Sequence, residues 1–407
     1  MYLTHLSLTN FRNFARLDID FTQGSHVLVG DNAQGKTSLL EAIYYVSTLV
    51  SFHADNDRQL INFVAGREPL AVARVVADFN RSQNTHRLEA RIIQEPNGTN
   101  GCSKVRKEIL LDGVKYKLSQ VIGQLNAVLF IPQMLQIAEG PPEERRRYLN
   151  LALSQIEPGY AQTLADYHRV LTQRNALLKQ LFERGGDEKQ LEFWDEKLAR
   201  FGAKIIHSRI AAIREIERLA ASIHLELTRH EEVLRLIYQP AYDPIPTADR
   251  QYKLPLNNNL DRSAIALETI EIGFREVLCE LHREEINRGV TTLGPHRDEL
   301  RFMGNGIDLG SYGSRGQMRT LIIALKLAEV SWMHEKTGFW PVFLLDEVLA
   351  ELDLQRRNDL LSRLLACEQT ILTTTDLDLF ASHLLEQANL YRIENGQITP
   401  KKELTHE

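Results

Sequence analysis

The sequence predicts an α/β head interrupted by an inserted, mainly helical lobe, and three observations predict it. A compact apolar run, Val27-Leu28-Val29, ends in a glycine-rich loop and is followed by apolar residues at helical spacing (Leu39, Leu40, Ala42, Ile43, Val46). A second continuous apolar run, Val342-Phe343-Leu344-Leu345, ends in Asp346-Glu347. Strands covered on both faces of a parallel sheet read this way. Between the two, from about Glu143 to Leu236, the chain turns to charged helices with sustained three-and-four spacing.

At 407 residues the chain exceeds the size at which one core stops growing, so two lobes are expected. The start, Met1 to Leu8, alternates polar and apolar residues and reads as a strand rather than a signal peptide. Leu70 to Phe79 and Leu88 to Gln94 read as strands, Pro96 to Gly101 as a turn-rich connection to Ile109-Leu110-Leu111, and Asp112-Gly113 as a hairpin turn. In the helical block Leu164, Leu171 and Leu178 recur every seven residues, and Leu191, Trp194, Leu198, Phe201 and Ile205 begin a second stripe beyond Gly185-Gly186. Such stripes fit either a bundle's own core or a projecting antiparallel arm. A Pro-rich link follows (Pro240, Pro244, Pro246, Pro255), then a helix from about Arg262 to Asn287, and strand and helix alternate again after Gly294. The expected division is therefore a first head segment over 1–142, a helical lobe over 143–288 and a second head segment over 289–407.

Composition narrows the function classes. With 48 Lys and Arg against 54 Asp and Glu, the net charge of −6 carries no global signature of a nucleic-acid binder, so any DNA site is a local basic patch. Cys102, Cys279 and Cys367 are odd in number and far apart, which fits a reducing cytoplasm better than a disulfide or zinc framework. No apolar run approaches the length that spans a bilayer. Metalloprotease, Cys-x-x-Cys and nucleophile-elbow patterns are absent.

Gly30-Asp31-Asn32-Ala33-Gln34-Gly35-Lys36-Thr37 satisfies G-x-x-x-x-G-K-[ST] between a strand and a helix. The glycines let backbone amides curl around phosphate oxygens, the helix aims its positive end at them, and Lys36 neutralises the outer phosphates. Thr37 is a Mg²⁺ ligand in such loops. Asp346, at a strand's carboxyl end, would hold Mg²⁺, and Glu347 would orient or deprotonate the attacking water, so Lys36, Asp346 and Glu347 form the catalytic set. Helix capping or solvation is the plainer role for two adjacent acids. Ser314, Gly316 and Gln317 open an amphipathic helix, a second anion-binding geometry or else a flexible loop before a helix.

The order of these elements resembles the heads of ABC and SMC ATPases, in which the Ser-x-Gly-Gln segment of one subunit closes on the γ-phosphate held by the other. Over about half the chain the resemblance is to the RecF family. It is carried by Leu8 to Phe14, Asn32 to Thr37, Gly140-Pro141 to Arg147, Gly294-Pro295-His296-Arg297-Asp298, Ser314 to Arg319 and Leu344 to Asp353. The resemblance implies an ATP- and Mg²⁺-dependent protein that dimerises on ATP, binds gapped or double-stranded DNA and works with recombination mediators and a recombinase. It adds Arg12 and Ser38 to the nucleotide site, Ser38 standing where Asn is usual. Gln133 fits either a Mg²⁺-sensing glutamine or an edge-of-strand residue. Arg145, Arg146, Arg147, Lys104 and Lys107 are candidate DNA contacts, or else solvated faces. His296 and Arg297 would tie the insertion to the head. Two alternatives stay open: another ABC- or SMC-type ATPase, and a nucleotide-gated DNA scaffold with little turnover.

Overall fold

The computed structural model describes residues 1–96, 103–245, 261–364, 366–380 and 382–400. Asn97 to Cys102 and Pro246 and Pro255 of the Pro-rich link lie outside the described residues. The chain divides into two compact units, Met1–Met134 with Glu329–Glu407, and Leu135–Ala328.

In chain order the strands of the first unit are β1 (Tyr2–Phe11), β2 (Phe14–Asp20), β3 (Gly24–Val29), β4 (Ala71–Arg81), β5 (Asn84–Pro96), β6 (Ser103–Leu111), β7 (Val114–Tyr116) and β8 (Ala127–Phe130). β9 (Leu234–Gln239), β10 (Glu299–Gly304) and β11 (Ile307–Asp308) belong to the second unit. β12 (Val342–Asp346), β13 (Gln369–Thr374), β14 (Asn389–Glu394) and β15 (Gln397–Pro400) return to the first. There, β2-β1-β4-β5-β6-β7 make an antiparallel sheet and β15-β14-β3-β13-β12-β8 a mainly parallel one. Asp112 and Gly113 both have positive φ, the pair of conformations a two-residue hairpin between β6 and β7 requires.

Helix α1 (Lys36–Thr48) starts directly after the glycine-rich loop and buries Leu39, Leu40, Ile43 and Val46 completely. These join Leu6, Leu8 and Phe11 of β1 and Leu129 of β8 in one core. Parallel pairing of β3, β13, β12 and β8 brings four carboxyl ends to one edge, with Thr374 opposite Val29 and Asp346 opposite Thr373. Loops leaving that edge are where an open α/β sheet binds ligands.

The second unit contains α2 (Pro142–Ile156), α3 (Tyr160–Arg184), α4 (Gln190–Leu227), α5 (Leu267–Glu280) and α6 (His282–Arg288), and α7 (Arg315–Thr337) begins in it. The leucine stripes are the core of a bundle. Leu178 and Leu181 of α3 pack on Leu191 of α4, and α4 also packs along α5. Gly202 permits that approach, because a Cβ there would lie 2.5 Å from the Phe274 ring. Arg174 is fully buried and bonds Asp195 at 2.7 Å and Glu285 at 2.5 Å, linking α3, α4 and α6.

Three expectations shift. The helical block ends at Leu227, and Leu234 to Gln239 forms β9, whose period-two burial of Leu234, Leu236 and Tyr238 pairs it with β10. The helix expected from Arg262 to Asn287 starts at Leu267 and breaks at Leu281. Because β10 pairs with β9, the segment from 289 to 328 packs within the second unit rather than with the head. The Gly294–Asp298 run accordingly ties that unit together internally. Asp298 accepts from Arg209 at 2.6 Å, from the Ala241 N–H at 2.9 Å and from the Tyr238 hydroxyl, and Tyr167 Oη lies 2.7 Å from His296 Nδ1. Among the described residues no helix is long and apolar enough to cross a membrane.

Candidate functional site

The glycine-rich loop owes its path to two close approaches. A Cβ on Gly30 would meet the Ile393 carbonyl oxygen at 2.4 Å, and one on Gly35, at φ 114°, would meet Asn13 Nδ2 at 2.6 Å. Ala33 also has positive φ. No side chain caps the start of α1, which leaves its first amides directed at the loop's concave side. Asn13 Nδ2 donates to the Gln34 carbonyl at 3.3 Å and the Asn395 N–H to Gln34 Oε1 at 2.6 Å, which pins the loop's crest from both flanks. Asp31, Asn32 and Ala33 are exposed.

Lys36 is buried and donates to the carbonyls of Gly30 at 2.6 Å and Asp31 at 3.1 Å, and its Nζ lies 2.9 Å from Glu347 Oε1. Thr37 Oγ1 donates to Asp346 Oδ2 at 2.8 Å, and Thr373 Oγ1 to Asp346 Oδ1 at 2.6 Å. The structure thus brings Lys36, Thr37, Asp346 and Glu347 together from opposite ends of the chain. Glu347 sits at φ 52°, a left-handed turn that directs its side chain away from the line of β12 toward the loop's lysine. Gln133 is exposed just beyond β8, the strand next to β12.

Arg12 and Ser38 line a cleft of about 800 Å³ together with Arg58, Asn62 and Phe63. The Arg12 guanidinium is held by Glu41, with Nε and Nη2 each 2.7 Å from a carboxylate oxygen, and Nη1 donates to the Gln59 carbonyl at 3.0 Å. Its position borders the loop, but its donors are engaged by Glu41 of α1 and the Gln59 carbonyl.

In the second unit Ser314 and Gln317 cap the start of α7 reciprocally. The Ser314 N–H donates to Gln317 Oε1 at 2.9 Å and the Gln317 N–H to Ser314 Oγ at 3.2 Å. Gln317 Nε2 donates to the buried Glu232 at 2.7 Å. Ser314 is exposed, and a Cβ on Gly316 would meet only Ser314 Oγ at 3.9 Å, so that turn is open to an approaching anion.

The basic candidates divide differently from expectation. Arg145 forms a two-pronged pair with Glu299 at 2.7 and 3.0 Å and also donates to the Gly140 carbonyl, so its charge is internal. Arg146 donates to the Asp298 carbonyl at 2.8 Å, and burial lowers its pKa. Lys107 pairs with Asp57 at 2.9 Å and donates to the Leu49 carbonyl. The donors of these three are engaged within the chain. Arg147 and Lys104 are exposed. Sequence reasoning gave no role to Glu41 or Glu232, which hold Arg12 and Gln317 and have no local signal. Asn13 and Thr373 lie in runs that it did single out, Leu8 to Phe14 and Thr373 to Asp376, but their contacts with Gln34 and Asp346 depend on packing.

A family model described as "RecF/RecN/SMC N terminal domain" matches residues 2–399. The DNA replication and repair protein RecF of Chloroflexus aurantiacus is 38% identical over 98% of this chain and 99% of its own length. This chain belongs to the RecF family. A solved structure described as the recombination mediator protein RecF with ATP in the RecFOR pathway superposes with a TM-score of 0.82 at 29% identity, covering 98% of each chain. An SMC head bound to the C-terminal winged-helix domain of ScpA superposes at 0.53 with 16% identity, a likeness of fold alone. The α/β unit with its helical companion is therefore the ABC/SMC-type ATPase fold on which the RecF family is built. Within that fold one hydrogen bond joins Thr37 and Asp346, 309 positions apart in the chain.

Proposed function

We propose that this chain is an ATP-dependent DNA-binding repair and recombination protein that dimerises on ATP, hydrolyses it slowly and helps load recombinase at gapped or junction DNA. The observation that carries the ATP reading is the convergence of Lys36 on Glu347 and of Thr37 on Asp346 at one sheet edge. Support for the DNA role and for mediator and recombinase partners comes from the RecF relatives and the solved recombination mediator.

The Thr37 hydroxyl and Asp346 carboxylate are hard oxygen donors, the set that suits Mg²⁺. Bound there, Mg²⁺ would neutralise charge on the β- and γ-phosphates. Gly30 to Ser38 would cradle the phosphates with backbone amides, and Lys36 would exchange its carbonyl and Glu347 partners for phosphate oxygens. That exchange releases Glu347 to orient and deprotonate water. Gln133, just beyond the end of the neighbouring strand, would sense the metal. The open turn at Ser314, Gly316 and Gln317 would close on the γ-phosphate held by a second copy, which makes turnover depend on the dimer.

Sedimentation with ATP and Mg²⁺, with and without gapped duplex, combined with phosphate release, tests the proposal. The expected result is an ATP-dependent dimer with turnover that responds to DNA. A chain that stays monomeric with ATP, or fails to bind DNA in the ATP state, would overturn it.

A further inference from the structure

Helix α4 spans 38 residues and buries one face along its whole length, from Leu191 to Leu227. Its outward positions Lys197, Arg200, Lys204, His207, Arg214 and Arg218 are all exposed. They follow alternating steps of three and four, interrupted only by Ala211, so they form one stripe that winds slowly around the helix, by about 20° per seven residues. From Lys197 to Arg218 the row runs roughly 32 Å at 1.5 Å per residue. No acidic residue occupies it. Glu196 lies beside its start, and Glu215 and Glu217 beside its end are half-buried. In a chain of net charge −6, this concentration of cations is not what composition leads one to expect.

The cations in the middle of the row are the available ones. Arg200 and Lys204 make no ion pair or hydrogen bond among the described residues, whereas Arg214 Nη1 donates to Ser263 Oγ at 2.5 Å and Lys197 lies 4.1 Å from the Phe193 ring centroid. At its far end the row reaches a cleft of about 360 Å³ that also takes Arg235 and Arg262 into its wall. Those two are already paired, with Glu217 and Asp243, so the cleft's own charge is largely balanced.

We infer that this row on α4 is a track for the phosphate backbone of DNA, an inference that rests on the DNA-binding role proposed above and assigns it a surface. Three arguments favour a nucleic-acid backbone over other polyanions. A stripe of roughly 32 Å is about as long as one turn of duplex, along which phosphates are densely and regularly spaced. A helix that lies in an anionic membrane sinks an apolar face into the headgroups, and the apolar face of α4 is buried in its own bundle. An acidic protein would be expected to find aromatic or aliphatic anchors among the cations, and the only large exposed apolar side chain on α4 is Phe193, at one end. The row reads no bases: flexible cations on a convex helix contact phosphates and leave sequence unread.

The test compares the unaltered chain with Arg200→Ala/Lys204→Ala by fluorescence anisotropy on a gapped duplex, with ATP and Mg²⁺, between about 50 and 200 mM salt. Losing two phosphate contacts should weaken binding by about 100-fold near 0.1 M salt and reduce the slope of log K against log salt by about 1.8. ATP affinity should be unchanged, and Arg200→Lys/Lys204→Arg should restore both quantities, which a folding defect would not allow. If the unaltered chain binds DNA and the double alanine chain binds with the same affinity and slope, the track is refuted while the DNA-binding role stands. An unaltered chain that ignores DNA but binds phosphatidylserine vesicles or an acidic polypeptide through these residues would refute both.

Discussion

Glu347→Gln should separate ATP binding from ATP hydrolysis, and the structure sets the size of each effect. Glu347 Oε1 lies 2.9 Å from Lys36 Nζ, with the lysine side chain 4% exposed and the glutamate side chain 35% exposed. A phosphate chain taking over the lysine must break this pair. Because one partner is more than a third exposed, solvent screening limits the pair to roughly 0.5–1 kcal/mol. Removing the charge should therefore tighten ATP binding about two- to fivefold. Removing the group that deprotonates water should slow the chemical step by roughly 10²- to 10⁴-fold. Glutamine keeps the length and tolerates the left-handed backbone at this position no worse than glutamate, so the fold should be unaffected. Titration with a fluorescent ATP analogue reads the first effect and single-turnover phosphate release the second, with ATP-bound dimers expected to accumulate. Turnover within threefold of the unaltered chain would refute the role given to Glu347, and weaker ATP binding would refute the exchange of partners at Lys36.

Lys36→Ala should weaken ATP binding by at least about 100-fold, since a buried charge-assisted contact is lost, while the urea midpoint stays close to its original value; undiminished affinity would remove the loop assignment. Ser314→Arg should leave ATP binding intact but block the ATP dimer and turnover, and mixing it with Lys36→Ala chains should recover turnover from one composite site per mixed dimer. Full activity from a monomeric Ser314→Arg chain would exclude a shared site. His296 offers a pH test: burial pushes its pKa down from 6.5 to about 4 against the opposing hydrogen bond to the Thr291 carbonyl. A depressed histidine contributes stability that is fully present above pH 6.5 and is lost as pH falls toward 4, on the order of 3 kcal/mol. Urea unfolding at pH 7.5 and 4.5 should show a smaller decline for His296→Gln than for the unaltered chain, and equal declines would contradict the assignment.

Local chemistry was legible where the information is short-range. The loop from Gly30 to Thr37, the helix behind it, the apolar strand ending at Asp346 and the Asp112-Gly113 turn each depend on residues within a few positions, where glycine conformation and apolar spacing leave few alternatives. β9 was misread because its six residues follow a long helical pattern and are too few for period two to stand out beside it. The basic residues were the least legible. For Arg145, Arg146 and Lys107 the sequence shows charge but not partner, and Glu299, the Asp298 carbonyl and Asp57 are brought to them only by packing. The row on α4 was invisible for the complementary reason. Its cations are interleaved with the bundle's own leucines, isoleucines and glutamates, and only burial reveals which positions face out. Sequence alone thus determined the glycine-rich loop and the helix behind it, the apolar strand that ends in two acids, and the presence of a helical lobe. Tertiary structure decided which charges are free to act, because pairing energy depends on distance in space and residues far apart in the chain set that distance.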